Sequence, residues 1–203
     1  LRVRATTVQP ARLLLMVHGW TGDENSMWVF ARDLPPGEWV LAPRAPHATE
    51  PGGYSWRLHA DGDPSRSSLE LYQPSIQSLV ALVDSYAAAN GIEAGQFDVV
   101  GFSQGAALAS LLGMLHPERV RKLGLLAGFI PRGAEELIAR KPLTGKRVFA
   151  AHGTQDILVP VERARRSVEL LEQAGAQVNY CESEVGHKVS VDCMRALRAY
   201  LQD

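Results

Sequence analysis

The chain has 203 residues, of which 46% are hydrophobic and 21% charged, and its formal net charge is −1. This length and composition predict a globular domain with a full hydrophobic core and exclude a disordered chain. The near-zero charge gives no electrostatic basis for binding nucleic acid. No apolar run reaches the ~18 residues that a membrane span needs.

Short apolar runs recur along the chain and predict buried strands. The predicted strands are residues 13–17, 39–42, 97–102, 120–127, 147–151 and 176–181, with residues 2–8 as a weakly alternating edge strand. Helical periodicity between them predicts helices at residues 75–90, 104–116, 161–174 and 189–201. Strands that alternate with helices indicate an α/β fold with a mostly parallel central sheet covered on both faces.

One long irregular stretch, residues 43–73, follows the second of these buried strands. It is rich in Gly, Pro, Ser and Asp, and loops this long in compact domains are often functional. Functional residues in parallel sheets gather at the carboxyl ends of the strands. We therefore expect this stretch to form a wall or partial cover of a binding cleft.

The strongest motif is Gly-Phe-Ser-Gln-Gly at residues 101–105, which fits the G-x-S-x-G pattern. It lies between a predicted buried strand and a helix, the setting in which a serine is held on a sharp turn with its hydroxyl exposed above the sheet. We therefore predict that Ser103 is a nucleophile.

A serine hydroxyl needs an adjacent base, and the chain has six histidines. Only His187 follows the last predicted strand and precedes the final helix, in the chain order serine, acid, histidine that this motif accompanies. We predict that His187 is the general base. Three other histidines precede the serine: His18, His47 and His59. His116 lies at the far end of the helix that follows the serine, and His152 belongs to the segment that supplies the acid.

The acid that orients the base is predicted to be Asp156, just beyond the end of the fifth buried strand. Asp192 lies too far along the last helix, and Asp98 lies at the wrong end of its strand. The oxyanion would need backbone N–H donors, one from Gln104 after the nucleophile and one from the first strand-end loop. Trp20, next to the flexible Gly19, is the predicted second donor.

Four segments resemble the phospholipase/carboxylesterase family of the α/β-hydrolase fold, over nearly the whole chain. They are His-Gly-Trp-Thr-Gly-Asp at 18–23, Gly-Phe-Ser-Gln-Gly-Ala at 101–106, Gly-Thr-Gln-Asp-Ile-Leu-Val-Pro at 153–160 and Gly-His at 186–187. The resemblance implies an α/β-hydrolase domain over residues 1–203 without a separate cap domain. It also implies a serine carboxylesterase, monomeric or homodimeric, that needs no cofactor or metal and acts on modest acyl esters, thioesters or lysophospholipids.

The chain departs from the family's usual pattern near the predicted cleft. Trp20 stands where the family usually has an apolar residue such as leucine, and Gly-Gly-Tyr-Ser-Trp-Arg at 52–57 replaces Pro-x-Trp-(Phe/Tyr)-Asp. Tyr54, Trp56 and Arg57 are therefore the candidate substrate-binding residues, and for Tyr54 and Trp56 the alternative is ordinary packing in the core. One interpretation of this loop is a cationic rim for anionic substrates, the other an ordinary solvated loop; the basic residues concerned are Arg44, His47, Arg57 and His59.

Two cysteines, Cys181 and Cys193, form neither a disulfide scaffold nor a metal-ligand pattern, so we expect two free thiols, with a bridge between them left open. The amino terminus lacks the apolar stretch of a signal peptide, and we expect a cytoplasmic protein. Two other functions remain open. One is a peptidase, acyltransferase or lactonase using the same triad, and the other is a non-enzymatic module of the same fold.

Overall fold

A computed structural model describes residues 1–8, 11–31, 34, 37–50, 52–58 and 63–202. The strands in this part of the chain are β1 (Arg2–Arg4), β2 (Arg12–Val17), β3 (Glu38–Ala42), β4 (His47–Ala48), β5 (Tyr54–Ser55), β6 (Phe97–Phe102), β7 (Val120–Leu126), β8 (Arg147–Gly153) and β9 (Gln177–Ser183). The helices are α1 (Trp28–Ala31), α2 (Leu69–Asn90), α3 (Gln104–Leu115), α4 (Glu135–Ala139), α5 (Val161–Gln173) and α6 (Val191–Gln202), with a 3-10 turn at Pro64–Arg66.

Seven of the described strands form the central sheet, in the order β1-β3-β2-β6-β7-β8-β9. Only β1 pairs in the antiparallel sense, and the other neighbours are parallel. The predicted α/β fold with a mostly parallel sheet is confirmed. The carboxyl ends of β2, β6, β8 and β9 consequently meet at one edge of the sheet.

The side chains of β2 alternate between the two faces of the sheet, as expected of a strand buried on both sides. Leu13 and Leu15 pack in the core on one face, together with residues of α2, α3 and α5. Leu14 and Met16 pack in the core on the other face, with residues of α1 and α6. Helices therefore cover both faces of the sheet. The ends of the strands lie between these two layers of helices and are available to form a site.

The structure differs from the predicted elements mainly between residues 43 and 73. Instead of one irregular stretch, this segment contains the hairpin β4–β5, the 3-10 turn and the first turn of α2. The helix begins at Leu69 rather than at Ser75, so Pro74 lies inside it. Proline is usually found in the first turn of a helix, so Pro74 favoured a predicted start near residue 75, later than the observed start at Leu69. Gly91, with a φ of 63°, ends α2 as predicted.

Cys181 of β9 and Cys193 of α6 form a disulfide, so the expectation of two free thiols is wrong. The strand and the final helix pack against each other and bring the two Cα atoms to 5.7 Å. This distance is suited to a bridge. It depends on tertiary packing, which a sequence separation of 12 residues does not reveal.

No helix in the described ranges has both the length and the apolar character needed to span a lipid bilayer.

Candidate active site

Ser103 occupies a strained turn between β6 and α3. Its φ of 54° and ψ of −116° lie in a region that residues other than glycine rarely adopt. The turn is possible because Gly105 lets α3 approach β2. A Cβ atom at Gly105 would lie only 2.1 Å from the carbonyl oxygen of Val17. The serine hydroxyl therefore projects at the amino end of α3, where the helix dipole is positive.

Ser103, His187 and Asp156 lie in one hydrogen-bonded chain. Nε2 of His187 is 2.9 Å from Oγ of Ser103, and Nδ1 is 2.6 Å from Oδ2 of Asp156. The side chain of Asp156 is fully buried, whereas the serine and the histidine are half-buried. The structure thus brings together the three residues that were predicted from three different strand ends.

The carboxylate of Asp156 is oriented by the turn that follows it. Oδ1 accepts the backbone N–H groups of Leu158 and Val159, both at 2.9 Å, which leaves Oδ2 for His187. Buried His152 is a further neighbour, with Nε2 at 2.8 Å from the carbonyl oxygen of Val159 and 3.4 Å from Oδ2 of Asp156. The acid therefore has a fixed orientation before any substrate binds.

The loop that carries His187 connects β9 to α6, and its two ends are joined. The disulfide Cys181–Cys193 closes it, and the hydroxyl oxygens of Ser183 and Ser190 lie 2.7 Å apart just inside the bridge. The ring of Phe102 also packs 5.1 Å from the His187 ring, centroid to centroid. These contacts limit the positions that the imidazole can take.

This loop is also tied to the segment that carries Asp156. The backbone N–H of Thr154 donates to the carbonyl oxygen of Ser183 at 2.9 Å, and that of Gln155 donates to Val185 at 3.0 Å. The two segments are thereby held in one register beyond the ends of β8 and β9.

Trp20 and Gln104, the predicted oxyanion donors, belong to two segments that meet at the serine. Gln104 is the first residue of α3, so its backbone N–H has no acceptor in a preceding helical turn. The loop with Trp20 passes close to the nucleophile, since a Cβ atom built on Gly19 would lie 3.2 Å from Cβ of Ser103. Among the described residues, the buried indole N–H of Trp20 has no hydrogen-bond partner.

The side chain of His18 is an element of this site that sequence reasoning missed. Chain order excludes it as the base, but it is fully buried and holds the loop after β2. Nδ1 lies 2.7 Å from the carbonyl oxygen of Gly19, and Nε2 accepts the backbone N–H of Ala45 at 3.1 Å. Burial lowers the pKa of His18, in keeping with a neutral ring that uses one nitrogen as donor and the other as acceptor. The signals in the sequence were its position at a strand end and its place at the start of the segment 18–23 that resembles the family.

Two of the candidate substrate-binding residues, Trp56 and Arg57, are buried rather than exposed in a cleft wall. Trp56 is 2% exposed and donates its indole N–H to the carbonyl oxygen of His18 at 2.7 Å. Arg57 is 4% exposed, and its guanidinium donates to the carbonyl oxygens of Asp63 and Arg66. Both side chains are used in holding the loop together, so they offer little surface to a substrate.

Tyr54 remains half-buried at the surface, beside Arg44 and Glu24. Arg44 donates to the Tyr54 hydroxyl at 3.2 Å and lies over its ring, 4.7 Å from the centroid. The same guanidinium makes a two-pronged ion pair with Glu24, at 2.5 and 2.6 Å, and Arg44 holds the pKa of this carboxyl down at about 2. The charge of Arg44 is thus already balanced by Glu24.

The hypothesis of a cationic rim is not supported by these placements. Arg57 is buried, Arg44 is paired, and His47 is half-buried on β4. His59, the fourth residue of that hypothesis, lies outside the described residues.

The parallel sheet, the serine on its strained turn, and the histidine and carboxylate at neighbouring strand ends define the class of α/β hydrolases. The model of the phospholipase/carboxylesterase family matches residues 1–203, and the chain therefore belongs to that family. It is a serine hydrolase.

Known relatives agree with this assignment. Acyl-protein thioesterase 1 of Saccharomyces cerevisiae is 30% identical, over 87% of this chain and 84% of the relative. The crystal structure of esterase PE8 matches with a TM-score of 0.83 at 26% identity, covering 99% of this chain and 96% of that one. The crystal structure of a carboxylesterase from Mesorhizobium loti matches with a TM-score of 0.79 at 25% identity, covering 94% of this chain and 88% of that one.

Proposed function

We propose that residues 1–203 act as one esterase domain that hydrolyses small to medium acyl esters through an acyl-enzyme on Ser103. The observation that carries this proposal is the hydrogen-bonded chain from Oδ2 of Asp156 through His187 to Oγ of Ser103, with contacts of 2.6 and 2.9 Å. A serine becomes nucleophilic when an adjacent base takes its proton, and this chain supplies that base with its orienting acid.

In the acylation step, Oγ of Ser103 forms a bond to the acyl carbon while His187 takes the hydroxyl proton. The tetrahedral intermediate then breaks its bond to the leaving oxygen, and His187 returns the proton to that oxygen. Water attacks the acyl-enzyme by the same route, releasing the carboxylic acid and free Ser103. Asp156 stabilises the imidazolium in both halves but keeps its own charge.

The negative oxygen of each intermediate accepts hydrogen bonds from the backbone N–H groups of Trp20 and Gln104. Each such donor contributes about 3 kcal/mol of transition-state stabilisation, because its interaction strengthens as charge develops on the oxygen. The positive end of α3 adds to this field at Ser103.

Thioesters are a second substrate class for the same site. The supporting observation is the 30% identity with a yeast protein named acyl-protein thioesterase 1, over most of both chains. A panel of acyl chains of increasing length, each as an ester and as a thioester, would rank the two classes by kcat/KM.

The disulfide Cys181–Cys193 does not favour the cytoplasmic location expected from the sequence. A disulfide such as Cys181–Cys193 is typical of oxidising compartments and rare in the cytosol.

The test is a burst experiment with p-nitrophenyl acetate, combined with labelling by a fluorophosphonate. We expect a burst equal to the enzyme concentration, a single label on Ser103, and loss of both in Ser103→Ala. The matched control is Ser78→Ala, since Ser78 is an exposed serine of α2 far from the turn in sequence. Undiminished turnover or labelling in Ser103→Ala would refute the proposal.

A further inference from the structure

Buried Trp56 connects the two elements that carry the proposed oxyanion donors. Its indole N–H donates to the carbonyl oxygen of His18, in the loop that leads to Trp20, at 2.7 Å. Its backbone N–H donates to the side-chain oxygen of Gln104, the second donor residue, at 2.9 Å. A third contact fixes Trp56 itself, because its carbonyl oxygen accepts the hydroxyl of Ser75 on α2 at 2.5 Å.

On the β2 side, the orientation of one peptide group depends on His18. The carbonyl of Gly19 and the N–H of Trp20 belong to the same planar trans peptide and point in opposite directions. Two groups hold that carbonyl oxygen: Nδ1 of His18 at 2.7 Å and the backbone N–H of Gly22 at 3.1 Å. The Trp56 ring packs 4.9 Å from the His18 ring, so Trp56 supports the group that aims the Trp20 N–H.

On the α3 side, the Gln104 side chain is held by the same loop. Its amide nitrogen lies 3.0 Å from the hydroxyl of Ser55, next to the contact with Trp56. Gln104 as a whole is 5% exposed, so this amide is buried. The first residue of α3 is thereby held against the end of β5 and the residue that follows it.

We propose that Trp56 is a positioning residue that sets the spacing between the backbone N–H groups of Trp20 and Gln104. This inference rests on the proposed function, since it assigns Trp56 an effect on the oxyanion of that reaction. Trp56 is 2% exposed and acts through His18 and Gln104 rather than by touching substrate.

The expected signature is a fall in kcat with little change in KM. Donors aimed at an oxyanion interact strongly only in the transition state, so misplacing them leaves ground-state binding intact. Removal of one such donor costs about 10²- to 10³-fold in kcat, and a displaced donor costs less. We therefore expect a loss of about tenfold to 100-fold.

The test variant is Trp56→Phe, which keeps an aromatic ring against His18 but lacks the indole N–H. Trp39→Phe is the matched control, because Trp39 packs against Tyr86 with a centroid distance of 6.0 Å and lies on β3, outside the site. Rates are expressed per active site from the p-nitrophenol burst, so that a smaller folded fraction does not lower the apparent kcat.

A second readout separates positioning from a merely structural role. A trifluoromethyl ketone binds the serine as an anionic hemiketal, which needs the same donors as the transition state. We expect its inhibition constant to rise in Trp56→Phe by about the factor lost from kcat, and to stay unchanged in Trp39→Phe. A structural defect would reduce the burst but leave the inhibition constant of the remaining sites unchanged.

The outcomes separate this inference from the function on which it rests. If Ser103→Ala abolishes turnover while Trp56→Phe keeps the wild-type kcat per site and inhibition constant, only the positioning role is overturned. If Ser103→Ala is active, both are overturned. Should Trp56→Phe fail to fold, Ser55→Ala is the variant that tests the positioning role, because it removes the hydroxyl beside the Gln104 amide. A lower kcat at constant KM supports the proposal, and a wild-type kcat overturns it.

Discussion

Oδ2 of Asp156 lies 2.6 Å from Nδ1 of His187, and the other oxygen of the same carboxylate accepts two backbone N–H groups. Each oxygen therefore has its own partners, and rotation of the carboxyl would break three hydrogen bonds. With Nδ1 facing a fixed acceptor, the imidazole carries its proton on that nitrogen and presents a free Nε2 to the serine.

Asp156→Asn is expected to lower kcat by about 10⁴, because the amide no longer stabilises the imidazolium or the required tautomer. The measurement is steady-state hydrolysis of p-nitrophenyl acetate, with folding checked by circular dichroism. Asp192→Asn is the control, since this carboxylate is 83% exposed at the start of α6. A loss of less than about tenfold in a folded Asp156→Asn enzyme would contradict the role assigned to Asp156.

Glu38, buried at the amino end of β3, gives the protein a pH-dependent stability. Burial, with a smaller contribution from the charge of Asp98, raises its pKa from 4.5 to about 6. A folded-state pKa above the unfolded value means that folding favours the protonated form. The cost of ionised Glu38 is therefore absent below pH ~4.5, grows as the pH rises, and is fully present above pH ~6.

Glu38→Gln should thus increase the free energy of unfolding at pH 8 by something on the order of 2 kcal/mol, with the gain vanishing near pH 4.5. Urea denaturation of both proteins at the two pH values measures the difference. Glu93→Gln, at an exposed position, is the control. An equal effect of Glu38→Gln at both pH values would show that the buried charge is not the cause.

The disulfide Cys181–Cys193 should stabilise both the fold and the position of His187. The two cysteines are 12 residues apart in sequence. In the chain-entropy model, loss of a bridge that closes a loop of this length lowers the free energy of unfolding by about 3 kcal/mol. Because His187 lies within that loop, we also expect reduction to lower kcat. Denaturant unfolding and turnover, each with and without reductant, measure the two effects.

The double variant Cys181→Ala/Cys193→Ala is the control, because reductant should leave it unchanged. Mass spectrometry after alkylation reports whether the wild-type thiols were released. Released thiols with an unmoved unfolding midpoint would contradict the stabilising role.

Gly105→Ala should destabilise the protein by about 3 kcal/mol or more, since the new methyl group would overlap the backbone of β2. A Cβ there would lie 2.1 Å from the carbonyl oxygen of Val17 and 2.5 Å from that of His18. Backbone cannot yield as a flexible side chain does. Thermal unfolding compared with Gly95→Ala, where a Cβ meets nothing within 4 Å, measures the effect. Equal midpoints in the two variants would be inconsistent with the tight turn.

The buried strands and the order of the predicted triad were accessible from the sequence because both depend on local patterns. The apolar run at residues 97–102, followed by glycine, serine and glycine, indicates a strand and a sharp turn without knowledge of any partner. Chain order and strand-end position then selected His187 and Asp156, which lie within hydrogen-bonding distance in the structure.

What could not be predicted depends on contacts between distant segments. Trp56 and Arg57 lie in a loop rich in polar residues. The burial of Trp56 follows from contacts with Gln104, Ser75 and the loop after β2, and that of Arg57 from the carbonyl oxygens of Asp63 and Arg66. An arginine can be buried when backbone carbonyls accept its N–H groups. No sequence pattern predicts which carbonyls will lie near it. The cysteine bridge was missed for the same reason.

The closed loop around His187 also determines how the chain would respond to a protease. Exposed Lys188 lies between the two bridged cysteines and offers trypsin a cleavage site next to the histidine. A cut there would break the backbone before residues 189–203 without releasing them, since Cys193 would still hold that fragment to Cys181. The nicked protein would therefore run as a single band on a non-reducing gel and separate into two pieces only after its sulfurs are reduced.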